Sequence, residues 1–166
     1  MGDFEKIYED YINKIYKLCL YKAGNKEEAE DLTQEIFIKI YKNLKTFEGN
    51  SSLYTWIYTI AVRTCIDHRN KKGKNKETIE LDYSLCVDSN IEDDYIQKDR
   101  TLLISSCIGT LNEKYRMVLY LFYYEDMKIK DISNVLKRNE STIKTWLSRG
   151  KEKLRSELRK EGVNYE

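Results

Sequence analysis

A chain of 166 residues holds one ordinary domain or two very small ones, so length alone leaves the domain count open. With 29 Lys and Arg against 28 Asp and Glu, the net charge of +1 excludes a uniformly basic coating protein and makes nucleic-acid affinity a question of local charge segregation. A hydrophobic share of 41% with 14 tyrosines excludes a disordered chain, and the absence of proline leaves the sequence free to be almost wholly helical.

From Phe4 onward, Phe4, Ile7, Tyr8, Tyr11, Ile12, Ile15, Leu18 and Cys19 recur at spacings of three and four, the stripe of a first helix that ends near Gly24. Asn25 then caps a second helix, with Glu28 three residues on as in a capping box. Ala29, Leu32, Ile36, Ile40 and Leu44 continue its buried face, and Phe47 to Ser51 break it. Ser52 caps a third helix whose inward stripe is expected at Leu53, Trp56, Ile57, Ile60 and Ala61 and which runs out in basic sequence near Lys76.

Charge then reverses. Residues 63 to 76 carry six basic side chains against Asp67, or +5, whereas residues 77 to 99 carry eight acids against Lys98, or -7. Little helical periodicity runs through 77–90, which reads as an exposed linker between a unit at 1–76 and another at 91–166.

The second unit opens with a helix over Ile91 to Ile108, and Asn112 starts the next, with Tyr115, Val118, Leu119 and Phe122 inward. Ile129, Ile132, Val135 and Leu136 mark a short helix. After a tight turn, Asn139 or Ser141 caps a last one whose Ile143, Leu147, Gly150, Leu154 and Leu158 face the core. Short helix, tight turn and longer helix form a helix-turn-helix, and the whole is an all-α chain of two small domains.

Three constellations carry chemistry. The last helix turns Glu140, Ser141, Thr142, Lys144, Thr145, Ser148 and Arg149 outward, within a segment from Lys128 to Lys160 that has eleven basic residues against four acids, +7. Short donors and long cations suit base edges and phosphates in a major groove, although a solvated, charge-laced helix has the same pattern. The aromatics Phe47, Tyr54, Trp56 and Tyr58 precede the basic run Arg63, Arg69, Lys71 and Lys72. Rings beside cations suit unpaired bases, and core packing is the competing explanation, stronger for Trp56 than for Tyr54 and Tyr58, which fall off the inward stripe. Glu27, Glu28, Glu30, Asp31, Gln34 and Glu35 crowd the first turns of the second helix, where acids favour the helix dipole or form a docking face.

Other classes find little support. Cys19, Cys65, Cys86 and Cys107 stand singly, without zinc spacing, and read as reduced, mostly buried thiols; His68 is alone. No catalytic set, phosphate loop, metal site or cofactor motif stands out, so no enzymatic activity is expected. The acidic start lacks the features of a signal peptide and no stretch is long and apolar enough to span a membrane, which points to the cytoplasm.

The segments Ala29-Glu-Asp-Leu-Thr-Gln-Glu-Ile-Phe-Ile38, Phe47-Glu-Gly-Asn-Ser-Ser-Leu-Tyr-Thr-Trp-Ile-Tyr58 and Ile60-Ala-Val62 resemble region 2 of bacterial sigma factors of the extracytoplasmic-function type. Leu111 to Leu158, with Tyr115-Arg116, Asp131-Ile132, Thr142-Ile-Lys144 and Leu147-Ser-Arg149, resembles region 4. The resemblance implies a three-to-four-helix region 2 and a helix-turn-helix region 4 that act with core RNA polymerase on promoter DNA, in the nucleoid when in holoenzyme. It implies that Asp31, Gln34, Glu35 and Lys39 dock on the beta-prime clamp helices. Phe47, Asn50, Ser51, Ser52, Tyr54, Trp56, Tyr58, Arg63, Arg69, Lys71 and Lys72 would hold the -10 element, with one base of the opened strand flipped into a loop pocket. Arg138, Glu140, Ser141, Thr142, Lys144, Thr145, Ser148 and Arg149 would read the -35 duplex, with region 4 on the beta flap. Many members are held by an anti-sigma protein, which adds that class of partner. Arg63 stands where the family often has Asn, Trp146 where a basic residue is common, and Asn112 where Pro is common. The rival reading is a helix-turn-helix regulator that binds duplex DNA without polymerase, and a third is an adaptor that binds only protein.

Overall fold

The computed structural model describes residues 2–71 and 95–163. All regular elements among them are helices: α1 (Asp3–Ala23), α2 (Lys26–Asn43), α3 (Leu53–Lys71), α4 (Tyr95–Gly109), α5 (Glu113–Leu119), α6 (Ile129–Leu136) and α7 (Glu140–Lys160). The chain divides into two compact units, Met1–Cys86 and Val87–Glu166. The acidic linker expected at 77–90, the end of the basic run including Lys72, and Cys86 lie outside the described residues. None of the described helices is long and apolar enough to cross a membrane.

In the first unit α1, α2 and α3 pack pairwise into a bundle. α1 stops at Gly24 because the chain turns left-handed there, at φ 75°, and the Gly24 N–H closes onto the Leu20 carbonyl at 3.0 Å, a conformation that costs glycine little. One residue later Asn25 Oδ1 accepts the Glu28 N–H at 2.9 Å and starts α2. Ile15, Leu18, Cys19, Ala29, Leu32, Ile36 and Ile40 are buried, and Leu44 lies in a 3-10 turn beyond α2, half-buried. Ser52 starts α3, its hydroxyl accepting the Thr55 N–H at 3.1 Å and donating to Thr55 Oγ1 at 2.9 Å.

The inward face of α3 differs from the expected stripe. Ile57 and Ala61 are buried as expected, but Leu53, Trp56 and Ile60 are only half-buried, and the face instead includes Thr55, Tyr58, Val62, Thr64 and Cys65. That is a rotation of about one residue, or roughly 100°. α3 is covered by both α1 and α2, so its buried arc is too broad to be centred from a segment this dense in apolar side chains.

The second unit packs α4, α5 and α6 onto α7 or its neighbours. Asn112 Oδ1 accepts the Lys114 N–H at 3.2 Å and Asn139 Oδ1 the Thr142 N–H at 2.7 Å, so Asn139 rather than Ser141 caps α7. Beyond α5 the helix widens into a π-turn over Tyr120–Tyr124. The extra residue rotates the chain, so Leu121 is fully buried and Phe122, expected inward, is half-buried. The turn from α6 to α7 is closed by Lys137 at φ 51°, by Arg138 N–H to the Ser133 carbonyl at 3.1 Å, and by the Ser133 hydroxyl to the Arg138 carbonyl at 2.5 Å. Gly150 lets α7 close on α5: a Cβ there would stand 3.3 Å from Tyr115 Cβ and from Leu119 Cδ1.

Candidate protein and nucleic-acid interfaces

The acidic start of α2 separates into two groups. Asp31 and Gln34 are exposed. Glu35 and Lys39 are tied to each other, at 2.7 Å, and to α3 through Lys39 Nζ to Thr64 Oγ1 at 3.2 Å. The hydrogen bond from Lys39 holds the Glu35 carboxyl below its ordinary value; burial opposes, and the charges of Lys39, Lys71 and His68 add to the lowering. His68, alone in the sequence, faces Glu28 at 3.7 Å from the last turn of α3. The same outer side of α2 also exposes Ile38 (53%) and Tyr41 (64%), the latter edge-on to Phe4 with centroids 5.1 Å apart. Sequence reasoning missed both because Ile38 follows the buried Ile36 and Phe37 and Tyr41 follows the buried Ile40.

The four aromatic residues grouped by the sequence lie on two opposite sides of α3. Phe47 pairs with Trp56 at 5.1 Å between centroids, both half-buried. Tyr54 pairs with Tyr58 at 4.7 Å and with Tyr11 of α1 at 6.2 Å. Residues two apart on a helix point about 200° away from each other, so Tyr54 and Trp56 cannot serve one platform. Tyr58 is 0% exposed and is a core side chain; the expectation that it stacks on a base is corrected, because burial under α1 and α2 leaves its ring no open face.

Trp56, Ile60 and Arg63, at i, i+4 and i+7, share the outward side of α3 below the Phe47–Ser52 loop. Arg63, Arg69 and Lys71 are exposed. In the loop, Asn50 donates to Glu48 at 3.1 Å, Gly49 turns at φ 73° with open space where a Cβ would be, and Ser51 is half-buried. The Ser52 hydroxyl is engaged in the helix cap, which makes it a support for this loop.

α7 keeps its expected outward set: Glu140, Ser141, Lys144, Thr145, Ser148 and Arg149 are exposed and Thr142 is half-buried, with Arg138 exposed in the turn before it. Trp146 is half-buried between α7 and α5, under the Lys114 ammonium 5.7 Å from its ring. Lys151 lies over Phe122 and Tyr123, at 5.7 and 5.3 Å, and Tyr123 is 60% exposed. These ring contacts were not legible from spacing, since the π-turn sets which aromatic meets which lysine.

The described cysteines are free and buried. Cys19 and Cys65 share a hydrogen bond in the first core; that bond and burial raise Cys19, the same bond lowers Cys65 against its burial, and burial raises Cys107. Covered thiols are poor nucleophiles and metal ligands. No cluster of three or more metal-ligating side chains occurs among the described residues.

Comparison with known proteins matches residues 7–75 to Sigma-70 region 2 and residues 101–154 to Sigma-70 region 4. The ECF RNA polymerase sigma factor SigW of Bacillus subtilis (strain 168) is 36% identical over 94% of this chain and 89% of its own length. SigM of the same organism is 28% identical over 98% of both chains. In structure, the sigma factor RpoE, co-crystallised with the anti-sigma factor NepR from Bartonella quintana, aligns with a TM-score of 0.74 at 18% identity, covering 96% of this chain and 98% of that one. CnrH in complex with the cytosolic domain of CnrY aligns at 0.66 and 16% identity, covering 94% and 87%. At those identities the two structures speak for the fold.

Proposed function

The chain belongs to the extracytoplasmic-function family of RNA polymerase sigma factors, and from that premise we propose that its two units divide promoter recognition, the first holding the separated -10 strand and the second reading the -35 duplex. Sigma factors are transcription-initiation factors that bind core RNA polymerase and promoter DNA. This one acts by binding and makes and breaks no covalent bond.

The observation that carries the division is the half-exposed Trp56 paired with Phe47 on the same side of α3 as Arg63. A protein that only binds intact duplex has no use for an aromatic platform beside a cation. Stacking on such a platform stabilises an unpaired base by about 1–3 kcal/mol, of the order of what unpairing and flipping a base cost. A base flipped out of the strand lies beside Asn50 and Ser51 in the Phe47–Ser52 loop, which turns at Gly49, φ 73°. Arg63, Arg69 and Lys71, with Lys72 beyond them, attract the phosphates, and Tyr54 borders the loop from the other side. In the second unit, Lys144 and Arg149 reach base edges or phosphates while Ser141, Thr142, Thr145, Ser148 and Glu140 donate and accept along the groove, with Arg138 on the flanking backbone.

Asp31 and Gln34 dock on the beta-prime clamp helices, with Glu35 and Lys39 fixing the corner where α2 meets α3. The second unit sits on the beta flap. An anti-sigma protein, the class of partner NepR is to RpoE, is the regulator this reading allows for.

Run-off transcription with purified core polymerase on genomic DNA tests the proposal. Transcripts starting at discrete sites only when this chain is added are the expected result. Tight, specific duplex binding by the chain alone, with no added transcript, would instead identify a polymerase-independent helix-turn-helix regulator.

A further inference from the structure

On the side of α3 opposite Trp56, Tyr54 joins two residues of α1 that the platform above does not use. Lys14 of α1 extends its ammonium over the ring of Tyr54, 5.4 Å from the centroid, and over Tyr11, at 6.0 Å. Tyr11 and Tyr54 lie 6.2 Å apart with planes inclined at 36°, both half-buried, while Lys14 is exposed. Tyr54 in turn rests on buried Tyr58 at 4.7 Å, which fixes its ring from behind. Two aromatic faces and one cation therefore converge across α1 and α3, two residues from the Phe47–Ser52 loop.

We propose that Tyr11, Lys14 and Tyr54 form a second contact for single-stranded DNA, taking one unpaired base against the tyrosine rings and its phosphate on Lys14. This rests on the reading of the first unit as the holder of the separated strand. Trp56 and Tyr54 flank the start of α3 on opposite sides, so a strand that turns at the loop meets a ring on each side of the turn. Gripping on both sides resists re-pairing, because a strand held at one point can still swing back. The chemistry is sequence-tolerant: every base has a face to stack, and a lysine reads only the charge of the phosphate.

The test uses holoenzyme assembled from the full chain and core polymerase, with a fluorescent fork probe carrying a -35 duplex and an unpaired non-template overhang through and beyond -10. Lys14 is exposed, so Lys14→Ala should leave the first unit folded. Losing one phosphate contact to a single strand lowers the slope of log affinity against log salt by about 0.7, which amounts to roughly a fivefold rise in Kd at 0.1 M salt relative to 1 M. Lys14→Arg should restore both slope and affinity, and a fully duplex -35 probe should not distinguish the variants. If the wild type gains affinity from the overhang and Lys14→Ala keeps the same Kd and salt slope, this contact is refuted while the strand-holding reading stands. An overhang that adds nothing to wild-type binding would refute both.

Discussion

The two units bury their helices differently. In α7 the inward residues Ile143, Leu147, Gly150 and Leu158 form one narrow stripe, and everything that could meet DNA lies away from it. In α3 the core arc is broad and runs between two outward groups, so neighbouring aromatic residues alternate between holding the bundle together and facing solvent. A helix with a narrow buried stripe can separate stability from recognition along its whole length, whereas a helix with a broad buried arc must decide residue by residue. The consequence is that substitutions in the second unit should report cleanly on binding, and substitutions in α3 should not.

The largest effect that would sharpen this contrast comes from Tyr58→Ala. Removing a fully buried aromatic side chain costs about 3–5 kcal/mol, comparable with the whole stability of a small domain, so urea denaturation of the full chain should show the first unit largely unfolded. Trp56→Ala, two residues away and half-exposed, should cost about 1 kcal/mol and leave the unit folded. Equal losses for the two variants would mean that α3 has no such alternation.

Next in size is a crossed pair of functional losses. Arg149→Ala should weaken holoenzyme binding to a -35 duplex probe by about 1–3 kcal/mol and leave binding to a pre-melted -10 probe without a -35 element unaffected. Trp56→Ala should do the reverse, removing about 1–3 kcal/mol of stacking from the open complex, seen as slower permanganate reactivity of unpaired thymines, with duplex affinity unchanged. Both variants failing in both assays would break the division between the units.

The same contrast explains what could be read before the fold was known. Helix ends were legible because a cap is a local event: Gly24 turns left-handed, and Asn25, Ser52 and Asn112 each close onto an N–H two or three residues on. The outward set of α7 was legible because a single stripe leaves the rest exposed. The face of α3 was not, since Tyr54, Trp56, Ile57, Tyr58 and Ile60 satisfy several helical registers at once, and only packing from α1 and α2 selects among them. Phe122 was misplaced because nothing in Tyr120–Tyr124 announces a π-turn, and the partnership of Lys114 with Trp146 depends on where α5 crosses α7. The approach of Lys14 to Tyr11 and Tyr54 was invisible because the rings come from two helices, one of them forty residues further along the chain.

The smallest effect lies at the α2 to α3 seam. Glu35 has its carboxyl lowered in the folded state by Lys39, so the pair stabilises the fold at pH above the unfolded carboxylate value, about 4.3, and loses that contribution as pH falls through the lower folded value. Both side chains are about 40% open to solvent, at 42% for Glu35 and 38% for Lys39, so screening limits the contribution to less than about 1 kcal/mol. Urea midpoints measured between pH 3 and 6 should therefore fall with acidification, and Glu35→Gln should flatten that fall slightly while lowering the midpoint at pH 7. The pair on α7, Lys160 with Glu157 at 2.7 Å, lies within one helix, and Glu157→Gln should lower the midpoint at pH 7 by less. If the two substitutions prove equivalent, the hydrogen bond from Lys39 to Thr64 adds nothing, and the seam between α2 and α3 is held by its apolar residues alone.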